Sequence, residues 1–124
     1  MNGYIQEDRG NTRRFVQTLE LKDDPQMIAE YRRWHSREYH WREIREEIRS
    51  VGILEMEIYI FNTTLVMIVD TPLDFDWEKA MARLSSMPRQ AEWEALVARL
   101  QGCCPEARSD EKWQMMERMF MLYD

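Results

Sequence analysis

The sequence has little glycine, proline or cysteine, and it has no long hydrophobic run. Its 124 residues are 44% hydrophobic and 32% charged, with four glycines, four prolines and two cysteines. This composition excludes a disordered chain, and the length suits one compact domain that folds without disulfides or a structural metal. The longest apolar run, Leu65–Val69, has the length of a strand and falls far short of the roughly 20 residues of a membrane helix.

The charge balance, the N-terminal residues and the cysteines indicate which partners and which compartment to expect. Lysine and arginine total 17 against 23 acidic residues, a formal charge of −6, so no basic surface for nucleic acid is expected. The N-terminal residues are polar and lack the hydrophobic segment of a secretory signal. Cys103 and Cys104 are adjacent, which fits two free thiols better than a zinc knuckle or a redox pair. We therefore expect a cytoplasmic protein without a nucleic-acid or membrane partner.

Hydrophobic periodicity predicts the first half of the secondary structure. Residues 1–12 are predicted to form a flexible extension, and residues 13–124 a single domain. A period-two pattern from Phe15 to Leu21 predicts a first strand, and a helical pattern follows from residue 25 to residue 51. One straight helix of that length would measure about 40 Å, longer than such a domain is wide. We therefore predict a break at 36–40.

The second half of the chain is predicted to contain a hairpin, two helices and a final strand. Apolar and other side chains alternate before Asn62-Thr63, and a β-branched, apolar run follows it. Together these two stretches predict a hairpin. One helix is predicted to begin at Asp74 or Asp76, and another to run from 88 to a stop at Gly102. From about residue 117, alternating apolar residues predict a final strand.

The predicted order is that of a ferredoxin-like βαββαβ fold of the α+β class, with one extra helix. Helices would cover one face of its sheet. On the other face Tyr59 and Phe61 lie beside Glu55 and Glu57, a surface too apolar for open water and too charged for a core. Packing of two sheets against each other explains this pattern, so we expect a homodimer.

The motifs of nucleotide-binding enzymes, zinc proteases and serine hydrolases are absent: the sequence has no GxGxxG, GxxxxGK[ST], HExxH or GxSxG. His35 and His40 are five residues apart, which misses the spacing for a shared metal on one helix.

Tyr31, His35 and Tyr39 recur every four residues and would form one column of rings if the helix continued. A sugar-sized pocket needs such aromatic walls and a group that titrates near neutral pH. The spacing alone nevertheless favours a structural role at the edge of the core.

Several short segments, taken in order, resemble the L-rhamnose mutarotase family. They are Glu30-Tyr31-Arg32-Arg33-Trp34-His35, Trp41-Arg42-Glu43-Ile44, Gly52 followed by Glu57-Ile58-Tyr59, Gln90-Ala91-Glu92-Trp93 and Arg118-Met119-Phe120-Met121-Leu122. The resemblance runs from Arg13 onward. It implies a dimeric α/β barrel of ferredoxin-like subunits and an isomerase that interconverts the α and β anomers of a 6-deoxy-hexose. The implied substrate is L-rhamnose or L-fucose, and the implied reaction needs no cofactor or metal.

The resemblance also implies roles for individual residues. His35 corresponds to the acid/base histidine and is the predicted catalytic residue, while Tyr31, one turn earlier, contacts the sugar. Trp93 matches the first of two adjacent tryptophans that line the sugar pocket, and the second is Glu94 here. A further sugar-contacting tyrosine aligns with Met56, so that hydroxyl is lost. The resemblance thus gives Tyr31, Met56, Trp93 and Glu94 as substrate-binding residues.

Two other functions remain open from the sequence. A cofactor-free monooxygenase of the same dimeric ferredoxin-like shape would take an aromatic substrate and leave sugars unchanged. A non-catalytic interaction domain would use the aromatic column as core, so Tyr31→Phe and His35→Gln would change stability without affecting any ligand.

Overall fold

The computed structural model describes residues 11–102 and 112–122. The predicted extension over residues 1–12 therefore falls outside the described part except for its last two residues, and Cys103 and Cys104 fall outside it as well. The elements are β1 (Thr12–Glu20), α1 (Pro25–Trp34), α2 (Arg42–Ser50), β2 (Glu55–Phe61), β3 (Thr64–Pro72), α3 (Trp77–Ser85), α4 (Pro88–Ala98) and β4 (Gln114–Met115). None of the described helices is long and apolar enough to cross a membrane.

The described strands form one antiparallel sheet in the order β2-β3-β1-β4. This is the strand order of the predicted ferredoxin-like fold, which the structure confirms. In the register of the sheet, Leu19 lies opposite Leu65 and Phe15 lies opposite Val69. These side chains face the helices: Leu19, Leu65 and Val69 form a buried core with Ile44 of α2, and Phe15 is partly buried against it.

The predicted break in the long helical pattern is confirmed, and local chemistry explains both helix ends. The carboxylate of Asp24 accepts hydrogen bonds from the backbone N–H groups of Gln26 and Met27, which starts α1. His35 caps the other end of α1, and the chain turns through 36–40 before α2 begins. Gly52 follows α2 with a φ of 102°, a left-handed conformation that favours glycine.

The predicted position of the final strand is wrong. The strand pairs with β1 at Gln114–Met115, and residues 116–122 form no further strand in the described part of the chain. The alternation of Met119, Phe120, Met121 and Leu122 does not mark a buried and an exposed face, because all four side chains are exposed. A period-two pattern specifies a strand only where one of its faces is covered.

The predicted helix stop at Gly102 is also wrong, since α4 ends at Ala98. The N–H of Gly102 donates a 2.8 Å hydrogen bond to the carbonyl of Glu20 at the end of β1. A Cβ atom at Gly102 would lie 2.9 Å from that carbonyl oxygen. This glycine therefore serves the close approach of two backbone segments.

Candidate active site

Two adjacent cavities lie beside the turn between α1 and α2. The outer cavity has a volume of about 380 Å³, and the inner cavity, between the sheet and the helices, has a volume of about 110 Å³. Residues that line both are His35, His40, Ile48, Met56 and Ile58. The two imidazole rings and the apolar side chains of β2 therefore border both cavities.

His35 is held by the end of the helix that carries it. Its Nδ1 atom lies 2.8 Å from the carbonyl oxygen of Tyr31, one turn earlier. Because a carbonyl only accepts hydrogen bonds, Nδ1 of the neutral ring carries the hydrogen and Nε2 keeps its lone pair. The fold thus fixes the tautomer of His35 and leaves Nε2 as a proton acceptor.

Burial keeps both imidazoles neutral. Burial lowers the pKa of His35 below its ordinary value, and the hydrogen bond to Tyr31 opposes this effect in part. Burial also lowers the pKa of His40 to about 4, with the nearby charges of Arg45 and His35 adding to the shift. At physiological pH each ring is therefore a neutral base.

Aromatic rings surround the two histidines. The ring of His35 stacks on that of Tyr31 with 4.4 Å between centroids, and meets the edge of Trp93 at 5.2 Å. His40 packs against Trp93 from another side at 4.9 Å, and Trp41 does so at 5.5 Å. Trp93, which is buried, is therefore the ring that the other aromatic side chains enclose.

The predicted column of three rings exists only in part. Tyr31 and His35 stack as expected, but Tyr39 is exposed and lies near the guanidinium of Arg33. The reason is that α1 ends at Trp34, so the four-residue spacing no longer places Tyr39 on the same face. In the turn that follows α1, the ring that lies near His35 is instead that of His40, at 6.0 Å between centroids.

The structure brings the predicted site residues together around the inner cavity. Tyr31, Met56, Trp93 and Glu94 all line it, as does His35. Burial raises the pKa of the Tyr31 phenol, and the charge of Glu94 adds to this, whereas a hydrogen bond with Gln101 opposes it. The Tyr31 hydroxyl therefore stays protonated and can donate a hydrogen bond to a ligand.

Sequence reasoning missed several residues of this site. His40 was considered only as a metal ligand, and Gln90 and Gln101 were given no role in ligand binding, although all three line the inner cavity. For His40 the available signal was its place in the predicted break between the helices, where loops carry functional residues. The described residues contain no cluster of three or more histidine, cysteine, aspartate or glutamate side chains suited to a metal ion.

The fold and the cavity define a class of protein, a ferredoxin-like domain with a histidine inside an aromatic small-molecule pocket. A sequence model of the L-rhamnose mutarotase family matches residues 14–122. The chain belongs to this family and is a carbohydrate isomerase that interconverts sugar anomers.

Individual relatives agree with this assignment. An L-fucose mutarotase from Xanthomonas campestris pv. campestris is 37% identical over 109 residues, which cover 88% of this chain and 87% of that protein. A UPF0734 protein from Dictyostelium discoideum is 30% identical over 112 residues, with 87% and 88% covered. The crystal structure of an L-rhamnose mutarotase from Formosa agariphila matches 90% of this chain and 99% of its own, with a TM-score of 0.63. At 18% identity, that match supports the fold alone.

Proposed function

We propose that this protein interconverts the α and β anomers of a 6-deoxy-hexose, with L-fucose as the first substrate to test and L-rhamnose as the second. The observation that carries the proposal is the geometry of His35, a neutral imidazole with Nδ1 bound to a backbone carbonyl and Nε2 left as acceptor. The L-fucose mutarotase at 37% identity supports the choice of sugar.

The proposed reaction needs one proton to move between two oxygens on the same carbon. Nε2 of His35 removes the proton from the anomeric hydroxyl, the bond between C1 and the ring oxygen breaks, and the imidazolium protonates the ring oxygen. The open aldehyde then turns about the C1–C2 bond, and the same steps in reverse close the ring on its other face. Positioned acid–base groups of this kind accelerate proton transfer by about 10²- to 10⁴-fold.

The end of α1 suits the proton shuttle. His35 is the C-terminal cap of that helix, where the unpaired carbonyls carry partial negative charge. That charge stabilises the imidazolium formed in the first step, whereas burial destabilises it. Burial lowers the pKa of His35 and the hydrogen bond to the Tyr31 carbonyl opposes this in part, so the ring accepts the proton as a neutral base and then returns it.

The remaining predicted residues position the sugar in this proposal. Tyr31 donates a hydrogen bond to a sugar oxygen, and Trp93 packs on the carbon–hydrogen face of the ring. Met56 gives the 6-methyl group an apolar contact on the strand side of the cavity. Glu94, half-buried beside Trp93, accepts a hydrogen bond from a hydroxyl at the inner end.

We also propose that the protein is a homodimer. Two apolar surfaces of the described chain support this: the sheet face opposite the helices, with Val16 and Ile68 in adjacent strands, and the exposed segment 116–122. Within that segment Phe120 and Leu122 are each 73% exposed. A second copy of the chain would cover both surfaces.

We also propose a cytoplasmic location, because Cys103 and Cys104 are adjacent in the sequence, a spacing that favours free thiols over a disulfide. A reducing compartment keeps such thiols free. Alkylation of intact cells followed by mass spectrometry should find both cysteines reduced, and a disulfide at this pair would argue against the proposal.

Saturation-transfer NMR of anomer exchange tests the proposed function directly. Catalytic amounts of protein are added in turn to L-fucose, L-rhamnose and D-glucose. D-glucose is the control, because it carries a hydroxyl at C6 and differs from both 6-deoxy sugars in ring stereochemistry. The proposal expects faster exchange for at least one 6-deoxy sugar than for D-glucose. Exchange at the uncatalysed rate in all three sugars would overturn it.

A further inference from the structure

Three buried polar atoms of the inner cavity have no hydrogen-bond partner among the described residues. They are Nδ1 of His40 and the side-chain carbonyl oxygens of Gln90 and Gln101. The two glutamines are only 7% and 3% exposed, respectively. Buried polar groups in proteins are almost always hydrogen-bonded, so each of these atoms calls for a partner that the described residues do not supply.

The other ends of the two glutamines are already engaged. Nε2 of Gln90 lies 3.3 Å from a carboxylate oxygen of Glu94 and donates to it. The side chain of Gln101 forms a hydrogen bond with the hydroxyl of Tyr31. The carbonyl oxygens are therefore the ends that remain for a partner, and the partner must donate a hydrogen bond.

The position of these atoms separates them from other unpartnered groups. Oε1 of Glu47 and Nε of Arg89 are also buried without a partner, but these residues belong to α2 and α4 and line neither cavity. By contrast, His40, Gln90 and Gln101 come from the inter-helix turn, from α4 and from the chain after α4, and they converge on one space. A few convergent polar atoms within apolar walls are typical of a small-molecule site.

We propose that Gln90, Gln101 and His40 bind the hydroxyl groups of the sugar, with the two glutamine carbonyls as hydrogen-bond acceptors. The inference rests on the proposed function and extends it from the reacting carbon to the hydroxyls that distinguish one sugar from another. His40 meets a hydroxyl as a neutral ring, which has one nitrogen that donates and one that accepts.

Near-isosteric apolar variants separate a binding role from a structural one. Gln90→Met and Gln101→Met remove the acceptor that has no partner among the described residues, together with the hydrogen bond to Glu94 or Tyr31, so the ligand-free variants should fold with melting temperatures near or slightly below the wild-type value. The same variants should raise KM for the 6-deoxy sugar roughly tenfold while kcat falls less, because a bound hydroxyl loses its acceptor.

His40→Asn should raise KM, and His40→Gln should restore part of the loss. Glu47→Gln changes an equally unpartnered oxygen outside the cavities and should leave KM unchanged.

A second readout keeps the test independent of catalysis. The 6-deoxy sugar should raise the melting temperature of the wild-type protein, and this rise should shrink in both glutamine variants. If the wild type exchanges anomers while both glutamine variants keep its KM and its sugar-induced stabilisation, the inference is wrong and the proposed function stands. If the sugar stabilises the wild type without anomer exchange, the proposed function fails and the stabilisation data alone decide the inference. Neither exchange nor stabilisation in the wild type overturns both.

Discussion

His35 owes its proposed role to three contacts rather than to its identity alone. The Tyr31 carbonyl fixes the tautomer, the Tyr31 ring supports the imidazole from one side, and the edge of Trp93 closes another side. A solvent-exposed histidine would keep its ordinary pKa but would have two interchangeable tautomers and no fixed direction. The tautomer and the direction of Nε2 are what the fold adds.

The pH dependence of the reaction follows from the lowered pKa of His35. Nε2 must be unprotonated to remove the anomeric proton, and burial lowers the pKa of His35 below its usual value of 6.5. We expect kcat/KM to stay constant from about pH 8 to about pH 6.5 and to fall only under more acidic conditions. Stopped-flow polarimetry across this range measures the profile, and an acid limb centred above pH 7 would contradict the account.

The stability of the fold should also depend on His40. Its pKa is about 4 in the folded protein and near 6.5 in an unfolded chain. Between these values the unfolded state binds more protons, so the contribution is complete above pH 6.5 and is lost as the pH falls toward 4. The melting temperature of the wild type should therefore drop more steeply over this window than that of His40→Gln. Parallel curves for the two proteins would show that His40 is not desolvated.

At the scale of single residues, the sequence allowed only part of the site to be predicted. Tyr31 and His35 were within reach because they lie one turn apart on a helix that both pattern and structure contain. His40 could not be predicted, because helical periodicity does not fix where a side chain points once the helix has ended. Gln90 and Gln101 were missed because a buried glutamine has no distinguishing signal in a single sequence.

Helix α1 is the element that positions the site, and it begins at a single carboxylate. Asp24 accepts hydrogen bonds from Gln26 N at 2.9 Å and from Met27 N at 3.2 Å. Asp24→Ala should lower the free energy of unfolding by about 1 kcal/mol. Urea denaturation measures this loss, while kcat/KM should stay close to the wild-type value because the far end of the helix is held by tertiary packing.

A neighbouring residue provides the control for the cap. Asp23 carries the same charge one position earlier and makes no side-chain hydrogen bond within residues 11–102 and 112–122. Asp23→Ala should therefore change the free energy of unfolding by much less than Asp24→Ala. Equal losses in the two variants would mean that net charge, rather than the cap, stabilises the start of α1.

The elements differ in how far their sequences determine them. The break between α1 and α2 was predictable because helix length and hydrophobic periodicity agreed. The end of α4 was not predictable. Gly102 allows its own backbone to approach that of Glu20, which is remote in sequence, and it does not end the helix. The position of β4 was missed for a similar reason, since strand pairing depends on the partner strand as well as on alternation.

For the whole molecule, the account predicts a dimer that depends on the exposed C-terminal segment. Sedimentation analysis of the wild type should give about twice the 15.2 kDa of one chain. The double variant Phe120→Ser and Leu122→Ser should shift the protein toward the monomer, because the interface would lose apolar area. Leu73→Ser, at an exposed leucine elsewhere, is the control and should leave the dimer intact. A monomeric wild type would contradict the prediction.

The central claim, that the imidazole of His35 carries the proton in anomer exchange, is tested most directly by one comparison. Saturation-transfer NMR measures exchange of the preferred 6-deoxy sugar with the wild type and with His35→Ala, at equal concentrations of folded protein. The account predicts that the variant keeps its fold, as judged by circular dichroism, and loses about 10²-fold or more of the catalysed rate. A folded His35→Ala protein that exchanges anomers as fast as the wild type would contradict it.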